Sequence, residues 1–211
     1  MSLLNELIEN EWLKTDRVID AFEKIKRKDF IAKEQEDLAE VNEALSIGFG
    51  QTISQPLVVA FMLELLQVKP KEKILDIGCG SGWTSALLAH IVSNGTSQEK
   101  SKQGSVIAIE IIPELAKIAK NNISKYNFIK KGIVKVICAN GRKGYKKQAP
   151  FDKILASASG SQLPLSWKKQ LRIGGRIVAP IKNSIWLFTK TTENKFSQTE
   201  YPGFVFVPLI F

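Results

Sequence analysis

The chain has 211 residues, 44% of them hydrophobic, which suffices for one α/β domain with a core of its own. No apolar run approaches the roughly 18 residues a membrane helix needs. The first twelve residues lack the basic flank of a secretion signal, so a cytoplasmic protein that does not span a membrane is expected. The net charge of +9 favours anionic partners, but the lysines are spread from Lys14 to Lys195, so charge selects no substrate.

Residues 1–30 read as helices. Leu4, Leu7 and Ile8, then Val18, Ile19, Phe22 and Ile25, recur at three- and four-residue spacing, with Asp16 as a candidate cap. Residues 31–55 carry few regular signals and end in Gly48-Phe49-Gly50-Gln51, a loop that needs unusual backbone freedom. Residues 56–68 are apolar at helical spacing behind Pro56, which suits a first helical turn.

From there strand and helix alternate. Strands are expected at 73–77, 105–110, 134–138, 152–156 and 175–180, with helices at 83–92, 113–122 and around 164–171. Residues 93–103 read as a polar surface insert, and 184–189 and 204–209 as late strands. The pattern predicts a doubly wound, mostly parallel Rossmann-like sheet with antiparallel pairing at one edge and helices at the N-terminus. One domain is expected, with residues 1–55 supplying helices and a substrate loop and 56–211 an α/β core. Two cysteines, Cys79 and Cys138, read as small buried thiols beside strands, and with one histidine, His90, they speak against a zinc site.

In such sheets ligands bind beyond the carboxyl ends of the strands. The first strand-to-helix turn carries Gly78-Cys79-Gly80-Ser81-Gly82. This is G-x-G-x-G rather than the G-x-G-x-x-G of pyrophosphate binders. Glu110 ends the next strand, where a carboxylate can accept both hydroxyls of a ribose. Asn140-Gly141 follows the third strand, where a side-chain oxygen can accept from an adenine amino group. Asp76, just before the glycines, can steer an ammonium, directly or through water. A ligand with an adenosine ribose and no phosphate fits these groups, and S-adenosylmethionine answers that description.

The segment Gly50-Gln51-Thr52-Ile53-Ser54-Gln55-Pro56 resembles the signature of the protein-L-isoaspartate O-methyltransferases, class I enzymes that use S-adenosylmethionine. Lys28-Asp29-Phe30, the Ile-Glu-Ile-Ile-Pro-Glu-Leu run ending at Leu115, Ala149-Pro150-Phe151-Asp152 and Phe206-Val207-Pro208-Leu209 are similar to further family segments. The resemblance covers nearly all of the chain from about residue 20. It implies methyl transfer to the carboxylate of isoaspartyl residues in damaged proteins and peptides, leaving S-adenosylhomocysteine. The ester allows a succinimide to re-form, and its hydrolysis returns some normal aspartate. By the same resemblance Ser54 is the catalytic residue, Thr52 and Ile53 border the cofactor beside Gly78, Gly80, Ser81 and Gly82, and Ser157, Ala158 and Ser159 lie near the substrate.

Two departures stand out. Asn140 replaces the family's aspartate, and residues 157–161 differ from the family's Thr- and Ala-rich loop. A carboxylate acceptor is already ionised at neutral pH, its reference pKa being about 4, so no general base is required. Two alternatives remain at this level: a class I methyltransferase acting on RNA or a small molecule, and a cofactor-binding protein without catalysis. The loop after the fourth strand holds no aromatic residue to cradle a base, so nucleic acid is not the expected partner. A monomer is the expected state.

Overall fold

A computed structural model of the chain describes residues 2–93 and 103–210, so most of the insert expected at 93–103 lies outside the described residues. Helices α1 (Leu3–Glu9) and α2 (Asp16–Lys24) lead through 3-10 turns at Arg27–Phe30 and Lys33–Leu38 into a hairpin of β1 (Leu45–Gly48) and β2 (Gln51–Ile53). Helix α3 (Pro56–Leu66) follows, and then the alternating core begins: β3 (Lys73–Ile77), α4 (Trp83–Ser93), β4 (Ser105–Glu110), α5 (Pro113–Ser124), β5 (Val134–Cys138) and β6 (Phe151–Ala156). The chain closes with α6 (Leu165–Gln170), β7 (Leu171–Ile181), β8 (Ser184–Lys190) and β9 (Phe196–Pro202).

The seven-stranded sheet has the order β5-β4-β3-β6-β7-β8-β9. Strands β5 to β7 pair in parallel, and β8 and β9 add antiparallel pairs at one edge. The expected doubly wound, mostly parallel sheet with an antiparallel edge is therefore present. After β3 the chain winds outward to β4 and β5, then returns to place β6 on the other side of β3. That reversal opens a crevice at the carboxyl end of β3, where such sheets bind ligands.

Central strands buried on both faces read as continuous apolar runs. Ile74 faces the layer of α3 and α4, while Leu75 and Ile77 face the layer containing Trp167 and Leu171. Each such side chain, fully buried, contributes about 1.5–3 kcal/mol. Nearly all of α4 is buried, because α2 covers the face turned away from the sheet. His90 of α4 sets its Nε2 2.6 Å from Asp20 Oδ2 of α2, a tie between helices.

Several expectations need correction. Thr15, not Asp16, holds the cap position of α2, and its hydroxyl donates to Glu64 Oε2 at 2.5 Å, tying α2 to α3. Residues 204–209 form no strand; they run as an irregular strap, with Phe204 stacked on Phe61 of α3 at 5.4 Å. The last strand is instead the polar β9. Cys79 is buried as expected, but Cys138 is exposed at the end of the edge strand β5.

Candidate active site

The turn after β3 is built for close approach. Gly78, Gly80 and Gly82 all have positive φ (71°, 53° and 95°), a region costly for residues with a Cβ. A Cβ on Gly80 would lie 3.1 Å from Cδ1 of Ile47, so the β1–β2 hairpin rests on the turn. Gly78 and Cys79 donate their N–H groups to the Ile109 carbonyl, which ties the turn to β4.

Glu110 ends β4 and is 6% exposed. Its Oε1 accepts from the N–H groups of Ile111 (2.8 Å) and Ile112 (3.0 Å), and its Oε2 from Gly80 N–H (2.9 Å). A carboxylate has about four acceptor positions. Three are taken, so the side chain is locked in place with one acceptor position left at Oε2.

A cleft opens over this turn. Its walls are Thr52, Ile53 and Ser54 from the hairpin, Gly78, Gly80 and Ser81 from the turn, Glu110, Gly141, and Ser157 with Ala158 after β6. All ten belong to the residues expected from sequence. Trp83, Thr84, Cys79 and residues 207–210 also line it and were not expected. The signal for 207–210 was present in the family-like Phe206-Val207-Pro208-Leu209, but its reading as a strand hid its role as a wall. Hydrogen bonds from Ser159 N–H to the Val207 carbonyl and from Leu209 N–H to the Ser159 carbonyl, both 2.8 Å, hold that strap beside the loop after β6.

A second hollow abuts the first. Ala44, Gln55, Val58, Val205 and Phe206 line it together with Thr52, Ser54, Ser157 and Val207. Those last four belong to both walls. Ser54 thus sits at the junction, and the cap position of α3 falls to Gln55.

Four expected residues are placed differently. Asp76 does not reach the cleft: it is fully buried, and Thr84 Oγ1 (2.9 Å) and Ser85 Oγ (2.5 Å) donate to its Oδ2, while Oδ1 has no partner. Strand alternation turns it with Ile74 toward α4, behind Thr84 of the cleft wall. Burial pushes its carboxyl up to about 6, against the two hydroxyl donors, and the charge of Glu110 adds to the rise. Asn140 stands outside the wall, its Oδ1 accepting from Arg142 N–H at 2.9 Å as the cap of a short 3-10 turn. Gly141 is the part of that pair that faces the cleft; a Cβ there would stand 2.5 Å from Cγ2 of Ile77. Gly82 serves packing instead, since a Cβ would lie 3.0 Å from Ile123 of α5. Ser159 anchors the strap, and its hydroxyl donates to the Lys182 carbonyl.

The lining tests the cofactor directly. Glu110 is its one charged side chain among the described residues, and no lysine or arginine lines either hollow. A phosphate would find no cation there, whereas a neutral ribose finds a fixed acceptor. The lining fits the ribose of an adenosyl sulfonium. Among the described residues no cluster of three metal-ligating side chains exists.

Comparisons with known proteins agree. The family model for protein-L-isoaspartate(D-aspartate) O-methyltransferase matches residues 1–210. A protein-L-isoaspartate O-methyltransferase of Methanopyrus kandleri is 38% identical, with 94% of this chain and 85% of that protein aligned. One from Methanococcus aeolicus is 41% identical over 85% of this chain and 78% of its own. A Plasmodium falciparum chain assigned to the same enzymes, crystallised with S-adenosyl-L-homocysteine, shares the fold at a TM-score of 0.87 and 24% identity, covering 99% of this chain and 96% of that one. From the match across residues 1–210, and from relatives this similar over most of both lengths, the chain belongs to the protein-L-isoaspartate O-methyltransferase family.

Proposed function

We propose that this chain transfers a methyl group from S-adenosylmethionine to the carboxylate of L-isoaspartyl residues in damaged proteins and peptides, with Ser54 holding the acceptor. The observation that carries the assignment of Ser54 is its place on the wall shared by the cleft and the neighbouring hollow. In this reading the cleft takes the cofactor and the hollow the acceptor. Glu110 accepts a ribose hydroxyl at the free position on Oε2, Gly78, Gly80 and Ser81 allow the backbone to approach, Gly141 borders the adenosyl group, and Thr52 and Ile53 close over it. Asn140 supports the turn that presents Gly141, and Asp76 contributes charge from behind Thr84. When bound, S-adenosylmethionine supplies an electrophilic methyl on a positively charged sulfur.

The chain's own work is then placement and dehydration. The acceptor carboxylate arrives ionised and needs no base. The hollow offers it hydroxyls from Thr52, Ser54 and Ser157 but no lysine or arginine. Hydroxyl donors orient one carboxylate oxygen without neutralising the other. An arginine there would pair the group and blunt its nucleophilicity. Half-buried apolar side chains at Val58 and Phe206 limit water beside the acceptor, which strengthens attraction between the anion and a cationic donor. Positioning of this kind contributes about 7–11 kcal/mol.

We take a monomer as the working unit. Residues 1–55 supply the hydroxyl-bearing hairpin and 56–211 the cofactor crevice, and we take them as one domain. No helix among the described residues is long and apolar enough to cross a membrane, and we place the enzyme in the cytoplasm, acting on protein and not on nucleic acid. Incubation with labelled S-adenosylmethionine and an isoaspartyl peptide, its aspartyl twin, or tRNA tests the reading. Alkali-labile label on the isoaspartyl peptide alone is expected. Label on tRNA, or binding without transfer, would refute it.

A further inference from the structure

Arg27 lies outside every motif singled out above, yet it is 5% exposed in a chain whose other basic residues mostly face solvent. It follows α2, and its guanidinium reaches four backbone carbonyls. Nη1 donates to Val41 (3.0 Å) and Ala39 (3.4 Å), and Nη2 to Glu43 (2.6 Å) and Ser54 (3.3 Å). Glu43 lies two residues before β1 and Ser54 one residue after β2. One nitrogen therefore bridges the two strands at the open end of the hairpin. The planar group also lies over the Trp83 ring, 5.6 Å from its centre, and Trp83 lines the cofactor cleft from the first turn of α4.

We propose that Arg27 is a positioning residue for methyl transfer, which closes the base of the β1–β2 hairpin and thereby sets Ser54 against the glycine turn. This rests on the reading of Ser54 as the residue that holds the acceptor. The hairpin needs such a clamp. Its strands have four and three residues, and two-stranded ribbons of that size are marginal alone. Its tip runs through Gly48, Phe49 and Gly50, all at positive φ, and Phe49 is exposed. Leu45 and Ile53 anchor the hairpin in the core, and at its base the arginine joins the two ends of the chain that form it. Only a planar fork can serve diverging carbonyls and stack on an indole at once; a lysine ammonium cannot. The guanidinium is turned so fully toward these carbonyls that its Nε has no partner. Burial lowers its pKa to about 10, with Glu40 opposing the shift, so it stays charged at neutral pH.

The test compares wild type, R27K and R27Q by hydrogen exchange of amides 45–53, by calorimetric affinity for S-adenosylhomocysteine, and by kcat and KM on an isoaspartyl peptide. Expected are hairpin amides that exchange about tenfold faster or more, kcat lowered by on the order of a hundredfold in R27Q, and cofactor-product affinity lowered by a much smaller factor, since Thr52, Ile53 and Trp83 also border the cofactor cleft. R27K should fall in between. Unchanged hairpin exchange, or unchanged kcat, in a folded variant would overturn the proposal even if its Tm fell. Equal losses in kcat and in S-adenosylhomocysteine affinity would overturn it too, since they would place the effect on the cleft as a whole. Should R27Q not fold, R27K decides by the same readouts, because it keeps charge and length but not the fork. If wild type itself failed to methylate the isoaspartyl peptide, the functional reading would fall, while hairpin exchange would still decide whether Arg27 closes the base.

Discussion

Replacing Glu110 by glutamine isolates what the carboxylate contributes. Its Oε1 receives two backbone N–H groups and its Oε2 one. A glutamine has a single oxygen, so that oxygen should stay with Ile111 and Ile112, and the amide NH2 must then confront the N–H of Gly80. One buried donor loses its acceptor, which costs about 1–3 kcal/mol of folding stability. For a chain of this length that lowers Tm by roughly 2–4 °C per kcal/mol. The free acceptor position at Oε2 vanishes as well. A ribose hydroxyl that had a charged acceptor then has none, and a loss of about 1.4 kcal/mol there raises Kd for S-adenosylhomocysteine about tenfold. A thermal melt of the ligand-free protein reads the first effect, and calorimetric titration with S-adenosylhomocysteine reads the second. If E110Q melts lower but binds as wild type does, Glu110 is a strut for the glycine turn and the ribose assignment is wrong.

Ser54→Ala should lower kcat by on the order of a hundredfold while leaving affinity for S-adenosylhomocysteine near wild type, because the hydroxyl meets the acceptor and not the cofactor; an unchanged kcat would remove Ser54 from the chemistry. Asp76 gives a pH prediction with a definite sign. Its folded-state pKa of about 6 exceeds the ordinary 3.8, so the folded chain takes up this proton first, and its contribution to stability grows as pH falls from above 6 to below 4. Relative to D76N, which cannot titrate there, wild type should gain on the order of 3 kcal/mol across that window, read as the difference in urea midpoints at both ends; parallel midpoints would refute it. Gly141→Ala forces a methyl to 2.5 Å from Ile77 and should cost about 1–3 kcal/mol together with weakened cofactor binding, which a melt and a titration check.

The parallel core was legible because its strands are buried on both faces and bounded by turns. The expected bounds of β3, β4 and β5 agree with the structure, and Glu110 stands where its position at a strand end placed it. What escaped was whatever lacked a one-sided apolar pattern. The residues of β9 are mostly exposed, as an edge strand's can be, so no alternation marks it. The apolar run at 204–209 looked like a strand because it is apolar, but Phe204 and Phe206 are only partly buried against the core, Val205 is exposed, and the run is held to the loop after β6 rather than in a ladder. The hairpin was missed because seven short-strand residues carry almost no periodicity. In the site, the turn glycines and hydroxyls were readable as chemistry. That Asp76 turns toward α4 and that Asn140 caps a 3-10 turn was not readable, because residue type does not say which way a strand turns its side chain or which nearby N–H an amide oxygen accepts from.

The cleft's walls come from residues 51–54 and from residues 207–210, with nearly the whole sheet between them along the chain. Bringing such distant segments together carries a loop-closure cost, and the pocket is complete only when both segments are docked. A partly folded molecule would own the glycine turn without the roof and the strap, and would hold no cofactor tightly. Ligand binding therefore reports on completed molecules, and a cofactor pool at saturating concentration would shift the folding equilibrium toward the finished state by mass action.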